Sequence, residues 1–375
     1  MHMHLDARQT AVAGFVGLAN QGPTDEPVLL TKWNEFVHTF GGFHPGTLLP
    51  HCVHGWFTNG GGSCFVVRVP DQDGGMPGPY DFVGSRKAGL GALESIEAVT
   101  IVAAPDAVGL GNASEYGREG KLHVDFALIV HCESMGNRLA ILDPPPGMNA
   151  PHILEWRNEV ARFDSSYAAL YYPWIRVMDP EARRSVLVPP SGHVAGSWAR
   201  SDRERGVWAA PAKLPLRGVL DVAEGLGHRE GEELHRAGIN SIRAMPEGIR
   251  AWSAQTLSSD STRAEVATAR LSSSVISLVR GATSWASLEP GGPRTWDRVQ
   301  GDVEAVLQNA WRQGAFVGET AAEAFYVRCN DEVNVPELTA AGRIRVEFGF
   351  APRLPGEFIR MMVEQPAGSW AIYGD

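Results

Sequence analysis

Apolar and polar residues alternate near the end of this sequence, in "RIRVEFGF" and again in "FIRMMVE". A period of two places apolar side chains on one face of a β-strand, so strands are predicted over residues 343–350 and 358–364. The apolar positions are Ile344, Val346, Phe348, Phe350, Phe358, Ile359, Met361 and Val363. The preceding hundred residues are predicted to be mostly helical and offer few partner strands. Their backbone donors and acceptors need partners, and in an obligate assembly a neighbouring molecule can add a strand to such an exposed edge.

The rest of the pattern predicts an α/β protein. Residues 11–69 contain a strand, two short helices and a buried strand, and short apolar runs ending in turn residues follow at 96–107, 138–147, 167–179 and 184–192. Stretches that could be helical separate these runs, which is typical of a layered α/β fold with buried strands. From about residue 256 the apolar spacing becomes helical. The predicted fold class is therefore α/β (α+β).

Composition narrows the class of protein. The 375 residues are enough for two or three domains, and 44% hydrophobic with 20% charged residues is ordinary for a globular chain. No apolar run approaches the roughly 20 residues of a membrane span, so no membrane insertion is predicted. "MHMHLDARQT" is not a secretion signal, and we expect cytoplasmic synthesis and folding. A formal charge of −10 argues against nucleic acid as a partner, and four scattered cysteines predict reduced thiols.

Three stretches could carry chemistry. "NGGGSC" at 59–64 suggests a phosphate loop, but its glycines follow a helix and precede a strand, the reverse of a nucleotide-binding turn. His51, Cys52, His54 and Cys64 could bind a metal, although one helix face plus one distant cysteine is not a known ligand pattern. Ordinary packing or surface positions are favoured for these residues.

The third stretch, "SGHVAGSWARSDRERG" at 191–206, brings serine, histidine and aspartate close in sequence. A catalytic triad is assembled by the fold rather than by neighbouring positions, and G-x-S-x-G is absent. No catalytic, cofactor-binding or metal-binding residue is predicted, and the chain is not predicted to be an enzyme. A hydrolase remains the rival, and it would need serine, histidine and an acid clustered in space.

Several colinear blocks resemble the sheath proteins of contractile phage tails and contractile injection systems. They include "FVGLANQGPTDEPVLLTKWNEFVHTFGGF", "GLGALESIEAVTIVAAPDA" and "LVPPSGHVAGSWARSDRERGVWAAPA". They continue with "AGINSIRAMPEGIRAWSAQTLSSD" and with "WRQGAFVGETAAEAFYVRCNDEVNVPELTAAGRIRVEFGFAPRLPGEFIRMMVEQ". Together the blocks span about residues 12–365.

The resemblance implies a homopolymer of hexameric rings stacked around an inner tube, with baseplate and cap proteins as further partners and no cofactor. It implies four segments: a short N-terminal arm (1–11), an N-terminal sheath block (12–92), a middle α/β domain with subtilisin-like topology (93–255), and a helix-rich C-terminal domain (256–375). The last domain ends in the strands that pair with neighbouring subunits. The subtilisin-like topology does not imply a protease, because the sequence motifs H-G-T and G-T-S-M-A are both absent. His54-Gly55 is followed by Trp56 instead of threonine.

The resemblance also implies a mechanism and a place. Without a nucleotide site, the energy of contraction would be stored at assembly in a metastable extended lattice. Assembly would take place in the cytoplasm of a bacterium, and the mature protein would lie in a phage tail or tail-like particle, with release outside the cell as one fate. A sheath-like baseplate or cap adaptor that does not polymerise extensively is the alternative.

The helix before "WRQGAF" is associated in this family with gripping the inner tube. Arg294, Arg298 and Arg312 are therefore the tube-facing candidates, with an ordinary solvated helix as the alternative reading. Acidic residues are interleaved with them, at Asp297, Asp302 and Glu304. A contact that depends on charge would be weakened by these carboxylates.

The N-terminus departs from the family pattern. Family members usually carry a Pro-Gly-Val-Tyr-type strand before the "FVG" block, and here only "MHMHLDARQT" stands there. No strand exchange through the N-terminal arm is therefore predicted.

Overall fold

The computed structural model describes residues 5, 10–70, 77–110, 117–365 and 371–374. The chain divides into two compact units. We call residues 7–205 and 209–270 the sheet unit, and residues 1–6, 206–208 and 271–375 the terminal unit. The predicted N-terminal arm at 1–11 falls mostly outside the described residues. The finer division at residues 92 and 255 stays a prediction.

The sheet unit is built on a nine-stranded sheet with a smaller three-stranded sheet beside it. Its strands are β1 (Ala13–Gly17), β2 (Val28–Leu30), β3 (Cys64–Arg68), β4 (Ile101–Ala103), β5 (Leu139–Leu142), β6 (Ala168–Tyr172), β7 (Ile175–Asp179), β8 (Arg184–Val188), β9 (Leu214–Pro215), β10 (Val219–Val222), β11 (Ile239–Met245) and β12 (Gly248–Ala251). The large sheet has the order β2-β3-β1-β4-β5-β6-β11-β12-β9, and the small sheet has the order β10-β7-β8.

The middle six strands of the large sheet, from β3 to β11, run parallel, and antiparallel strands close both edges. Parallel strands need crossover connections, which place helices on both faces and bury the strands completely. Residues 101–103, 139–142 and 168–172 are accordingly buried at every position. This burial explains why these strands appear in the sequence as continuous apolar runs.

Helices cover both faces of the large sheet, over two separate hydrophobic clusters. The α-helices of this unit are α1 (Trp33–Phe40), α2 (Leu49–Thr58), α3 (Pro79–Val83), α4 (Gly117–Met135), α5 (Ala150–Glu155), α6 (Ser191–Arg205) and α7 (His228–Arg236). Shorter turns are 3₁₀-helices at Gly89–Ser95 and Pro105–Gly109 and a π-helical turn at Trp156–Val160. One cluster contains residues of α2 and α6, and the other contains residues of α4 and α5.

The terminal unit combines two long helices with a four-stranded antiparallel sheet of order β13-β14-β15-β16. Its helices are α8 (Val266–Thr283), in which the division between the units falls, α9 (Pro293–Arg312), α10 (Ala321–Ala324) and α11 (Pro336–Ala340), with a 3₁₀-helix at Ser284–Leu288. Its strands are β13 (Phe325–Arg328), β14 (Ile344–Phe350), β15 (Ile359–Gln365) and β16 (Ala371–Gly374). Buried residues of both long helices and of β14 form a third hydrophobic cluster.

The mixed α/β fold class is confirmed, including a helix-rich terminal region that ends in strands. The predicted strands at 343–350 and 358–364 are found at 344–350 and 359–365. Among the described residues, no helix has both the length and the apolar character that a membrane crossing requires.

Candidate assembly surfaces

The terminal sheet gathers the strand residues that the sequence singled out. Ile344, Val346, Phe348 and Phe350 are buried on one face of β14. Met361 and Val363 of β15 are buried as well, while Phe358 and Ile359 are partly exposed. Every second side chain of the two strands therefore packs on the helices, as the alternation predicts.

Strands β14 and β15 have pairing partners within their own chain. β14 pairs along its length with β15 and also with β13, and β15 pairs with β16. The expectation that the preceding region offers few strands missed β13, because "FYVR" at 325–328 is too short to show a clear period. Pairing with a neighbouring subunit stays a prediction.

A buried carboxylate joins β14 to β15 on the other face of the sheet. The side chain of Glu364 is 2% exposed, and its two oxygens accept hydrogen bonds from Arg343 Nη1 at 3.0 Å and from Arg345 Nε and Nη2 at 3.1 and 2.7 Å. Burial raises the pKa of Glu364, but the hydrogen bonds and charges of Arg345 and Arg343 outweigh it, so the pKa lies below its usual value. Strands β14 and β15 are thus joined by side-chain hydrogen bonds as well as by their backbone pairing.

The three candidate tube-facing arginines share one face of α9. Arg298 follows Arg294 by one turn, and Arg312 follows it by about five turns, so they project in nearly the same direction. All three are exposed. The opposite face is the buried stripe of Val299, Val303, Val306, Leu307 and Ala310. The arginine face therefore points away from the core of the terminal unit and is available to a partner.

Arg298 is held in place by an aromatic ring. Its guanidinium carbon lies 3.6 Å from the centroid of Trp285, and Trp285 Nε1 donates a hydrogen bond to Asp302 Oδ2 at 2.8 Å. Cation–π stacking of this kind orients the guanidinium plane without neutralising it. Asp302 is therefore engaged by the ring nitrogen of Trp285.

The candidate triad of the 191–206 stretch does not assemble. Ser191 N donates to Asp143 Oδ1 at 3.0 Å, and Ser191 Oγ lies 3.8 Å from Cys52 Sγ. The Nδ1 of His193 is buried and has no hydrogen-bond partner among the described residues. Asp202 instead faces Arg270, with two oxygen–nitrogen distances of 2.7 Å. Asp202 and Ser191 thus have separate partners, and the two residues do not belong to one catalytic triad.

The metal-capable residues of α2 and β3 are also used in packing. His51 Nε2 lies 3.5 Å from Asp179 Oδ2, and the rings of His51 and His54 pack against Phe43. Cys52 and Cys64 are buried, and burial raises the pKa of both thiols. Within the described ranges, no group of three or more histidine, cysteine, aspartate or glutamate side chains is arranged to hold a metal.

The glycine turn at 59–62 is a structural element. Arg200 Nη1 donates to the carbonyl of Asn59 at 2.9 Å, and Arg203 Nη1 donates to the carbonyl of Gly60. The Asn59 side chain accepts from Arg217 N at 2.8 Å and donates to the Arg217 carbonyl at 3.1 Å. The carbonyls of this turn thus face arginines, whereas a phosphate loop presents its amides to the anion.

Sequence reasoning missed two buried polar features that organise the sheet unit. Asp106, just beyond β4, accepts hydrogen bonds from the backbone amides of Leu18, Leu48 and Leu49, so it caps the start of α2. Asp143, just beyond β5, does the same for Ser191 at the start of α6. Burial raises the pKa of Asp106 to about 6 and that of Asp143 to about 7. The sequence did offer a signal for these two features, namely an aspartate shortly after each of two buried strands, where a carboxylate can accept hydrogen bonds from the first amides of a helix.

Comparisons with known proteins identify the fold. Residues 93–257 match the family described as "Phage tail sheath protein central domain". A prophage major tail sheath protein of Pseudomonas aeruginosa (strain UCBPP-PA14) is 26% identical over 233 residues, which are 60% of this chain. The match spans 57% of the length of that curated relative.

Solved structures match nearly the whole chain. The sheath complex of an extracellular contractile injection system (PVC) in its contracted state is 26% identical, with a TM-score of 0.73 over 93% of this chain and 90% of that one. The helical sheath of the anti-feeding prophage in its contracted state is 25% identical, with a TM-score of 0.75 over 96% and 94%. A tail sheath protein of Listeria innocua is 10% identical with a TM-score of 0.65 over 96% of each chain, which shows the fold alone.

The fold and the terminal sheet thus define a sheath-type structural protein. The predicted resemblance to contractile tail sheath proteins is confirmed, since residues 93–257 match the central domain of that family and solved sheath structures are similar to nearly the whole chain.

Proposed function

We propose that this protein is the repeating subunit of a contractile sheath in a phage tail or tail-like particle. Its copies polymerise as stacked hexameric rings around an inner tube, and they attach to a baseplate at one end and a cap at the other. The observation that carries the proposal is the similarity over 96% of the chain to a helical sheath in its contracted state. The role is structural, with no catalytic residue and no cofactor.

The terminal sheet supports a specific way to link copies. β16 is the last strand that the structure describes, and it lies at the edge of the sheet, where residues 361–364 pair with residues 371–374. A neighbour's β16 can make the same backbone hydrogen bonds, so exchange between copies loses none of them. Each bond contributes about 0.5–1.5 kcal/mol, and repetition through the lattice makes the links a continuous network.

Contraction follows from stored energy. The extended lattice has the higher free energy and persists because a kinetic barrier separates it from the contracted lattice. Subunits then move as nearly rigid bodies, and the exchanged strands keep neighbours connected. A gain of a few kcal/mol per subunit, summed over on the order of a hundred subunits, is sufficient to drive a tube through an envelope.

The arginine face of α9 is the proposed contact with the inner tube. Its three guanidiniums project opposite to the buried stripe of the helix. Trp285 fixes the orientation of one of them. Exposed arginines at regular spacing suit a partner with an acidic surface that repeats along the tube axis.

A disulfide lock tests the strand exchange. Met362 lies opposite Tyr373 in the β15–β16 register. Directly opposed residues of antiparallel strands have Cα atoms about 4.5–5.5 Å apart, which is within the range that a disulfide needs. In the M362C/Y373C variant, oxidation at low concentration ties β16 to its own β15, and reduction releases it. We expect tubes or stacked rings by electron microscopy for the wild type and for the reduced variant, and none for the oxidised variant. The single variant M362C, treated in both ways, is the control.

The outcomes separate the alternatives. Ordered tubes from the oxidised double variant would show that exchange of β16 is not the link. Uniform monomers of the wild-type chain at high concentration would contradict polymerisation itself and would favour a sheath-like baseplate or cap adaptor.

A further inference from the structure

An arginine-lined cleft lies in the sheet unit, remote in sequence from the terminal strands and from α9. Its volume is about 340 Å³, and it forms beside the π-helical turn Trp156–Val160, the C-terminal end of α7 and the segment 257–259. Three arginines line it: Arg157, Arg162 and Arg236. A π-helical turn departs from regular helix geometry and is found frequently at functional sites.

The charge of this cleft is opposite to that of the whole chain. Its lining contains three arginines and one carboxylate, Asp164, whereas the chain has 43 acidic and 33 basic residues. Asp164 is already engaged, because its Oδ1 accepts a hydrogen bond from Ser259 N at 2.9 Å and its Oδ2 accepts one from Ser259 Oγ. These hydrogen bonds hold the pKa of Asp164 below its usual value, so it stays ionised and bound to Ser259. A positive surplus remains for a ligand.

The three arginines differ in how firmly they are held. Arg157 is fixed, since its Nη1 and Nη2 donate to the carbonyls of Ala161 at 2.8 Å and Phe163 at 2.9 Å. Its Nε is buried and has no hydrogen-bond partner among the described residues. Arg162 is exposed. Arg236 is held loosely, because its Nη2 lies as far as 3.9 Å from Glu232 Oε2. One anchored arginine and two adjustable arginines give the cleft the charge and the donors that suit an anion.

We propose that the arginine cleft binds carboxylate side chains of a second copy of this chain. The inference rests on the proposed function, because it takes the chain to assemble with itself. Arginine matches the planar carboxylate with two parallel hydrogen bonds. The acidic surplus of the chain supplies many exposed carboxylates, so a second copy is electrostatically complementary to the cleft.

Charge reversal tests the cleft in assembly. The R162E/R236E variant replaces the two adjustable arginines, and R229E is the matched control, since Arg229 is also an exposed arginine of α7 but does not line the cleft. We expect R229E to assemble like the wild type by sedimentation and electron microscopy, and R162E/R236E to need at least about tenfold more protein. Equal assembly of all three would overturn the inference and leave the proposed sheath function intact.

Citrate binding to the monomer tests the site independently of polymerisation. By calorimetry at a concentration below assembly, we expect citrate to bind the wild type and R229E, and to bind R162E/R236E at least about tenfold more weakly. Equal citrate affinities would show that the cleft is not a carboxylate site. Tighter binding of inorganic phosphate than of citrate would assign the cleft to a free oxyanion instead. Citrate binding combined with unimpaired assembly would overturn the second copy as its source.

Thermal melting checks that the variants are folded. If R162E/R236E melts well below R229E, the neutral R162Q/R236Q variant replaces it in both measurements, with R229Q as its control. The same losses are then expected, and their absence in the folded neutral variant would overturn the inference.

Discussion

Glu364 offers the sharpest test of how the terminal sheet is held together. Substituting Glu364→Gln keeps the size of the side chain and removes its charge. The carboxylate is almost completely buried and accepts three hydrogen bonds from Arg343 and Arg345. A hydrogen bond to a charged group contributes about 1.5–3 kcal/mol, but both arginines are partly exposed, which weakens their share. We expect a loss of about 2 kcal/mol in the local stability of β14 and β15.

The pH dependence of this loss has a defined sign. The pKa of Glu364 is lowered in the folded chain, so its stabilisation is complete above the ordinary glutamate pKa of about 4 and is lost as the pH falls through the lower folded value. The difference between wild type and E364Q should therefore be full at pH 7 and shrink below about pH 4.

Hydrogen exchange of the β14 and β15 amides measures this local stability directly. Glu357→Gln, at an exposed position before β15, is the control and should change little. A loss below about 0.5 kcal/mol at pH 7 for E364Q, or a difference that grows on acidification, would refute the reasoning.

Two further predictions concern the sheet unit. Asp202→Asn removes the carboxylate charge that pairs with the buried Arg270 guanidinium and should cost about 3–5 kcal/mol in urea unfolding, whereas Asp331→Asn at an exposed position should cost almost nothing. A loss for D202N no larger than that of the control would contradict the role of the pair. Burial, with the charges of His54 and His51, lowers the pKa of His193 to about 3, so the folded chain takes up fewer protons than the unfolded chain, and stability falls as the pH drops below about 6.5. We expect the free energy of unfolding in urea to fall less steeply with decreasing pH for His193→Asn than for the wild type. The two slopes should differ by up to about 1.4 kcal/mol per pH unit, and identical slopes would contradict the buried, neutral state of His193.

The terminal strands show how far the sequence could be used. Strict alternation from Ile344 to Phe350 fixed both the strand and its buried face, because only a period of two suits a sheet with one face on a core. It could not show that residues 325–328 pair with this strand, since four residues are too few for a period. The arginine face of α9 was predictable for the opposite reason, as twenty helical residues fix directions through spacing alone.

The chemistry-bearing residues could not be judged from sequence neighbourhood. Ser191, His193 and Asp202 lie on one helix, yet the fold gives Asp143 to Ser191 and Arg270 to Asp202. The arginine cleft was not visible in the sequence, because Arg157 and Arg236 are far apart along the chain and line the same cleft only in the folded structure.

The sequence by itself therefore determined the class of fold, the terminal strands and their buried faces, because these depend on local periodicity. Tertiary structure decided which strands pair, which charges are buried together and where positive charge collects. Those outcomes depend on contacts between residues that are distant in sequence, and no local pattern records them.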